Sequence, residues 1–144
     1  MIIKTKKLHK DAIIPLDSTN FSARADLFCL SEKDIIIPPF NTAFVHTGIS
    51  IEIPDGYVGL IYARSGLACK NGLAPANKVG VIDSDYRGEI MVALFNHSDT
   101  SQKISNGQRI AQLVITPVVK ANFEGAEELT QTTRGEGGFG SSGT

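Results

Sequence analysis

Short apolar runs broken by turn residues dominate the chain. Ile49, Ile51 and Ile53 alternate with Ser50 and Glu52, the period-two pattern of a half-buried β-strand, and Pro54-Asp55-Gly56 supplies the turn that follows. Residues 57–62, 90–95 and 110–119 are continuous apolar runs rich in branched side chains, as buried strands of a sandwich or barrel are. Asn71-Gly72 and Asn106-Gly107 add turns. Gly80-Val-Ile-Asp-Ser-Asp-Tyr-Arg-Gly-Glu89 places two β-branched residues before a polar turn and Gly88 before the next apolar run, which predicts a β-hairpin. Helical periodicity is nearly absent. The best helix, Ser65-Gly-Leu-Ala-Cys-Lys-Asn-Gly72, with Ser65 as cap and Asn71-Gly72 as stop, is barely two turns long. The pattern predicts an all-β, jelly-roll-like domain with at most one short helix.

From Gly125 the character changes. Leu129 and Phe139 are the only large apolar residues left, among glycines and hydroxyls. Such a segment buries too little to offset about 1–2 kcal/mol of backbone entropy per ordered residue. The expected organisation is a β-domain over residues 1–124 and a flexible glycine-rich arm over 125–144.

Composition narrows the partners. The 144 residues make about one domain, 42% of them hydrophobic, with a net charge of -1. No global field recruits nucleic acid or a membrane surface, so an anionic ligand must be met by local charge. Met1-Ile-Ile-Lys-Thr-Lys-Lys lacks the apolar core of a signal peptide, and no run approaches the roughly 20 residues of a membrane span. Cys29 and Cys69 form no metal or redox spacing and are expected to be small buried hydrophobes of a cytoplasmic protein. Asn20-Phe-Ser22 and Asn96-His-Ser98 match the glycosylation pattern but carry no weight without secretion.

Three places hold more chemistry than structure needs. Asp83 and Asp85 stand beside Tyr86 and Arg87 in a turn for which Gly, Asn or Ser would suffice. Arg64-Ser65-Gly66 opens the short helix, whose free N–H groups suit an anion, although on these residues alone a capped helix with a surface arginine is the better reading. Gly135-Glu-Gly-Gly-Phe-Gly140 satisfies G-x-G-x-x-G, yet it neither follows a strand nor opens a helix, and only Ser141-Ser-Gly-Thr144 comes after it. A flexible linker stays open as a reading, but linkers rarely place one Arg and one Phe in a glycine run, and Arg134 could grip a phosphate while Phe139 stacks on a base. His9, His46 and His97 are scattered, with no metal-ligand spacing.

Five segments in order, Ser22-Ala-Arg-Ala-Asp-Leu27, Ala63-Arg-Ser-Gly-Leu-Ala68, the 80–89 turn, Gly107-Gln-Arg-Ile-Ala-Gln112 and Arg134-Gly-Glu-Gly-Gly-Phe-Gly-Ser-Ser-Gly143, resemble the five motifs of the homotrimeric deoxyuridine triphosphatases (dUTPases). The resemblance implies a jelly-roll-like (β-clip) homotrimer with shared sites that hydrolyses dUTP to dUMP and pyrophosphate with Mg²⁺. It implies that Asp83 orients and activates the attacking water, and that Arg64, Ser65, Gly66, Arg109, Gln112, Arg134 and Ser141 hold phosphates. Asp26 matches the carboxylate that meets the metal through water. The backbone of Gly80, Val81 and Ile82, with Asn77 and Met91, would read uracil, Tyr86 would pack on the sugar, and Gly138, Phe139 and Gly140 would close over the base. Cytosine would leave backbone groups unpaired, a mismatch worth about 10⁴-fold or more, whereas thymine must be excluded by a clash. Three departures stand out: Arg24 where the first motif has glycine, and Ala63 and Ser142 where many members have proline and threonine.

Two other readings fit parts of this pattern. A dCTP deaminase shares the fold and triphosphate site but uses a glutamate, against Asp83 here and the full glycine-rich arm. A nucleotide-switched regulatory protein would dock a partner protein through a surface that carries no motif.

Overall fold

The longest apolar run forms strand β12 (Arg109–Pro117), and the largest sheet is built around it. The structure is a computed structural model that describes residues 1–17 and 22–138. Along the chain come β1 (Lys4–Lys7), β2 (Leu16–Asp17), β3 (Ala25–Phe28), β4 (Ile35–Ile37), β5 (Thr42–His46), β6 (Ile49–Glu52) and β7 (Tyr57–Tyr62). Helix α1 (Ser65–Asn71) follows, then β8 (Leu73–Pro75), β9 (Gly80–Ile82), β10 (Met91–Asn96), β11 (Gln102–Ile104) and β12. Five strands run in the order β2-β3-β12-β7-β9, three in the order β5-β10-β8, and β1-β6 and β4-β11 form two-stranded ribbons. Every pairing is antiparallel.

One core joins all of them. Leu27, Ile37, Ile49, Ile90, Leu94 and Ile110 are fully buried and come from both larger sheets, both ribbons and the loop before β10. Each contributes roughly 1.5–3 kcal/mol over its exposed state, which makes the sheets mutually dependent rather than separately stable. The architecture is the expected all-β, jelly-roll-like one with a single short helix.

Four local expectations need correction. Residues 80–89 do not make a hairpin: β9 pairs with β7 and β10 pairs with β5 and β8, so the segment crosses from one sheet to the other. Period-two patterning marks a strand but not its partner. Ser50 is buried along with its isoleucine neighbours, since alternation within β6 does not reveal what another segment lays over its polar face. The N-cap of α1 is Arg64 in extended conformation, without a side-chain capping bond, and Ser65 is the first helical residue. The stop is as expected, with Gly72 at φ 66° donating its N–H to Ala68 and Leu67. Cys69 is exposed, whereas Cys29 is buried, and burial pushes the Cys29 thiol upward.

Asn96 is fully buried and donates from Nδ2 to the carbonyls of Ile37, Pro38 and Thr100, which makes it a structural bracket and no glycan acceptor. Asn20 lies outside the described residues. After Pro117 the chain leaves the sheet. The Val118 N–H still reaches the Gly56 carbonyl at 2.9 Å. Beyond it, among the described residues, no backbone hydrogen bond joins residues 119–138 to the β-domain. Phe123 is 97% and Leu129 87% exposed along that stretch.

Candidate active site

Strand β9 is the outermost of its sheet, so one edge of the Gly80–Ile82 backbone has no strand partner. That edge borders a cleft of about 260 Å³ lined by Asn77, Gly80, Val81, Ile82, Asp83, Tyr86 and Met91, together with Phe44, Glu89 and Ala93. Unpaired strand backbone offers donors and acceptors in fixed alternation, a pattern that can match the polar edge of a ligand. The turn after β9 is tightly braced. The Tyr86 N–H donates to the Asp83 carbonyl at 3.1 Å, and Arg87 Nη1 donates to the carbonyls of Ser84 and Tyr86 at 2.7 and 2.9 Å. Arg87 is thereby committed to the backbone, while the Asp83 side chain stays exposed at the cleft.

Tyr86 is held from two directions. Its hydroxyl donates to the Glu89 carbonyl at 3.1 Å, and its ring passes so close to Gly88 that a Cβ there would collide with the phenol. Glu89 in turn anchors the turn to the neighbouring sheet: Oε2 lies 2.8 Å from His46 Nδ1, and Oε1 accepts the Gly48 N–H at 2.8 Å. Burial pushes the Glu89 carboxyl up, but the hydrogen bonds from His46 and Gly48 outweigh it and hold the group below its ordinary value.

A second cluster is built on Asp26, which is 3% exposed in β3. Its Oδ1 accepts from Arg64 Nε at 3.0 Å and its Oδ2 from Arg109 Nη1 at 3.3 Å. Arg24 Nη1 stands 4.0 Å from Oδ1. A β-bulge makes this possible. Arg109 and Gln112 are three apart and would point to opposite faces of a regular strand, but the register slips between Arg109 and Ala111. Arg109 therefore faces Phe28 and Gln112 faces Asp26, which share one side of β3. Arg64 arrives from the end of β7, next to β12, and Ser65 and Gly66 are exposed in the first turn of α1.

The expected site residues thus fall into three groups. Asn77, Gly80, Val81, Ile82, Asp83, Tyr86 and Met91 share the cleft. Asp26, Arg64, Arg109 and Gln112 gather elsewhere, and none of them lines that cleft. Arg134 and Gly138 belong to the arm, where the Arg134 Nε donates to the Gly137 carbonyl at 2.7 Å. Phe139, Gly140 and Ser141 lie outside the described residues. Sequence reasoning missed Phe44, Glu89 and Ala93 as cleft residues; Phe44, 69% exposed beside buried Val45, is the one that an exposed aromatic on a period-two strand could have signalled.

A ring-sized cleft edged by strand backbone, a carboxylate at its margin and a separate guanidinium cluster define a nucleotide-binding protein of the all-β, jelly-roll-like class. The dUTPase family model matches residues 10–143, and the chain belongs to the dUTPase family. It is 48% identical to the deoxyuridine 5'-triphosphate nucleotidohydrolase of Hydrogenobaculum sp. (strain Y04AAS1) over 99% of both chains. The enzyme of the same name from Nautilia profundicola is also 48% identical over 99% of both. The Staphylococcus bacteriophage 80alpha dUTPase with dUPNHPP superposes with a TM-score of 0.89 over 99% of both chains at 30% identity.

Proposed function

We propose that the protein is a dUTP diphosphatase, hydrolysing dUTP to dUMP and pyrophosphate by attack of water on the α-phosphorus. The observation that carries this is the β9 cleft, in which the expected base-reading backbone and Asp83 come together in a dUTPase chain. Uracil lies against the β9 edge with Asn77, and Tyr86 packs on the sugar where a 2′-hydroxyl would stand. Asp83 aligns a water and accepts its proton. A free carboxylate is a weak base, so in-line placement and neutralisation of phosphate charge supply most of the acceleration. Arg64 and Arg109, with Arg134 of the arm, supply that neutralisation, while Gln112 and Ser141 donate hydrogen bonds to phosphate oxygens.

Among the described residues no three His, Cys, Asp or Glu side chains converge. A Mg²⁺ that keeps its waters and leans on substrate phosphates would need no such cluster, and Asp26, buried with both oxygens held by arginines, would meet its water shell only where substrate phosphates draw those arginines away. When bound, the ion neutralises phosphate charge. None of the arginine-cluster residues lines the cleft, and the described chain after β12 presents Val119 and Phe123, and in the arm Leu129, exposed. Both features support a homotrimer whose sites combine residues of different chains, with the arm of one closing over another.

A nucleotide panel tests the activity. With Mg²⁺ present, dUTP should be hydrolysed at least about a hundredfold better than dTTP, dCTP or UTP, releasing pyrophosphate and no ammonia. Comparable turnover of dTTP, or ammonia from dCTP, would sink the proposal. Gly88→Ala tests the sugar contact. The added Cβ displaces the Tyr86 ring, so discrimination against UTP should relax by about 10–100-fold while the melting temperature changes little. Unaltered discrimination would remove Tyr86 from the sugar site.

A further inference from the structure

Building on the dUTP activity proposed above, we infer that Arg24 is a substrate-binding residue, a third guanidinium at the arginine cluster that takes the polyphosphate of the substrate and the pyrophosphate product. Arg24 and Asp26 are two residues apart where the chain enters β3, so their side chains leave on the same side. Asp26 is already satisfied by Arg64 and Arg109, one on each oxygen. At 4.0 Å Arg24 Nη1 is outside hydrogen-bond range of Asp26, and among the described residues Arg24 makes no hydrogen bond. Its side chain is 43% exposed, against 25% for Arg64. Arg64 is fixed in place, whereas Arg24 keeps its donor fork for an incoming ligand.

Charge points to the class of that ligand. Among the described residues three guanidinium groups stand around one carboxylate, an excess of two positive charges, and no second carboxylate reaches these arginines in the described ion pairs. Like charges held this close are tolerated best when a multiply charged anion joins them. A planar fork binds phosphate oxygens two at a time, and a pyrophosphate offers more of them, and more charge, than a monophosphate.

The test compares Arg24→Gln and Arg24→Lys with the full-length wild-type protein. Inorganic pyrophosphate and dUMP are titrated calorimetrically, and dUTP turnover is measured over a range of salt. For Arg24→Gln, pyrophosphate Kd and dUTP KM should each rise about tenfold, with kcat and dUMP Kd within about twofold. The salt dependence of KM should become shallower, and Arg24→Lys should recover part of the lost affinity. Unchanged pyrophosphate affinity, or an equal loss for dUMP, would overturn the inference. So would a fall in melting temperature beyond about 5 °C or a change of oligomeric state in both variants, either of which would make Arg24 structural. Absence of dUTP hydrolysis by the wild type would instead refute the parent activity.

Discussion

Asp83→Asn is expected to lower kcat on dUTP by about 10²–10⁴-fold while the Kd of a non-hydrolysable dUTP analogue moves little. Amide and carboxylate have the same shape, so the substitution removes only the negative charge and the proton acceptor. The turn does not depend on either. Asp83 enters it through its backbone carbonyl, which accepts from Tyr86, and Arg87 braces the remainder through the Ser84 and Tyr86 carbonyls. The side chain is exposed, and no described residue pairs with it, so the melting temperature should hold as well. A collapse of analogue binding, or loss of folding, would make Asp83 a structural residue of the cleft.

Removing the arm after Thr133 should abolish most turnover without unfolding the β-domain, because none of the 118–138 backbone beyond Val118 is hydrogen-bonded to it among the described residues. Mixed oligomers then locate the arm's target. Asp83→Asn at full length has an arm but no base, and the truncated chain has a base but no arm. In randomly mixed equimolar trimers, if the arm serves another chain's site, about a quarter of the sites combine an intact Asp83 with an arm from elsewhere. Activity near that fraction of wild type is expected. If purified mixed trimers show only the sum of the two parents, the arm serves its own chain and the shared-site arrangement falls.

Element identity was legible from local pattern for several of the longer strands and for the helix. The runs at 57–62, 90–95 and 110–119 became β7, β10 and β12 with small shifts at their ends, and the helix stopped at Gly72 where a left-handed residue was required. These features depend on side-chain alternation and on backbone freedom at single residues, which act over a few positions. Asp83 and Tyr86 were likewise visible in an overloaded turn, and Asn77 only through the family resemblance; each stands within six residues of β9 and lines the cleft.

What the sequence determined by itself was the all-β class, the place of several of its longer strands and of its helix, and the motifs that place it in its family. Tertiary structure alone decided who pairs with whom: that residues 80–89 cross between sheets, that Phe44 and Glu89 reach the β9 cleft from β5 and the end of the turn, and that three arginines far apart in sequence gather on Asp26. The clearest instance is the slip at Arg109, which turns a side chain from one face of β12 to the other. A bulge is set by the partner strand's register, a long-range relation that period-two patterning along one strand does not contain.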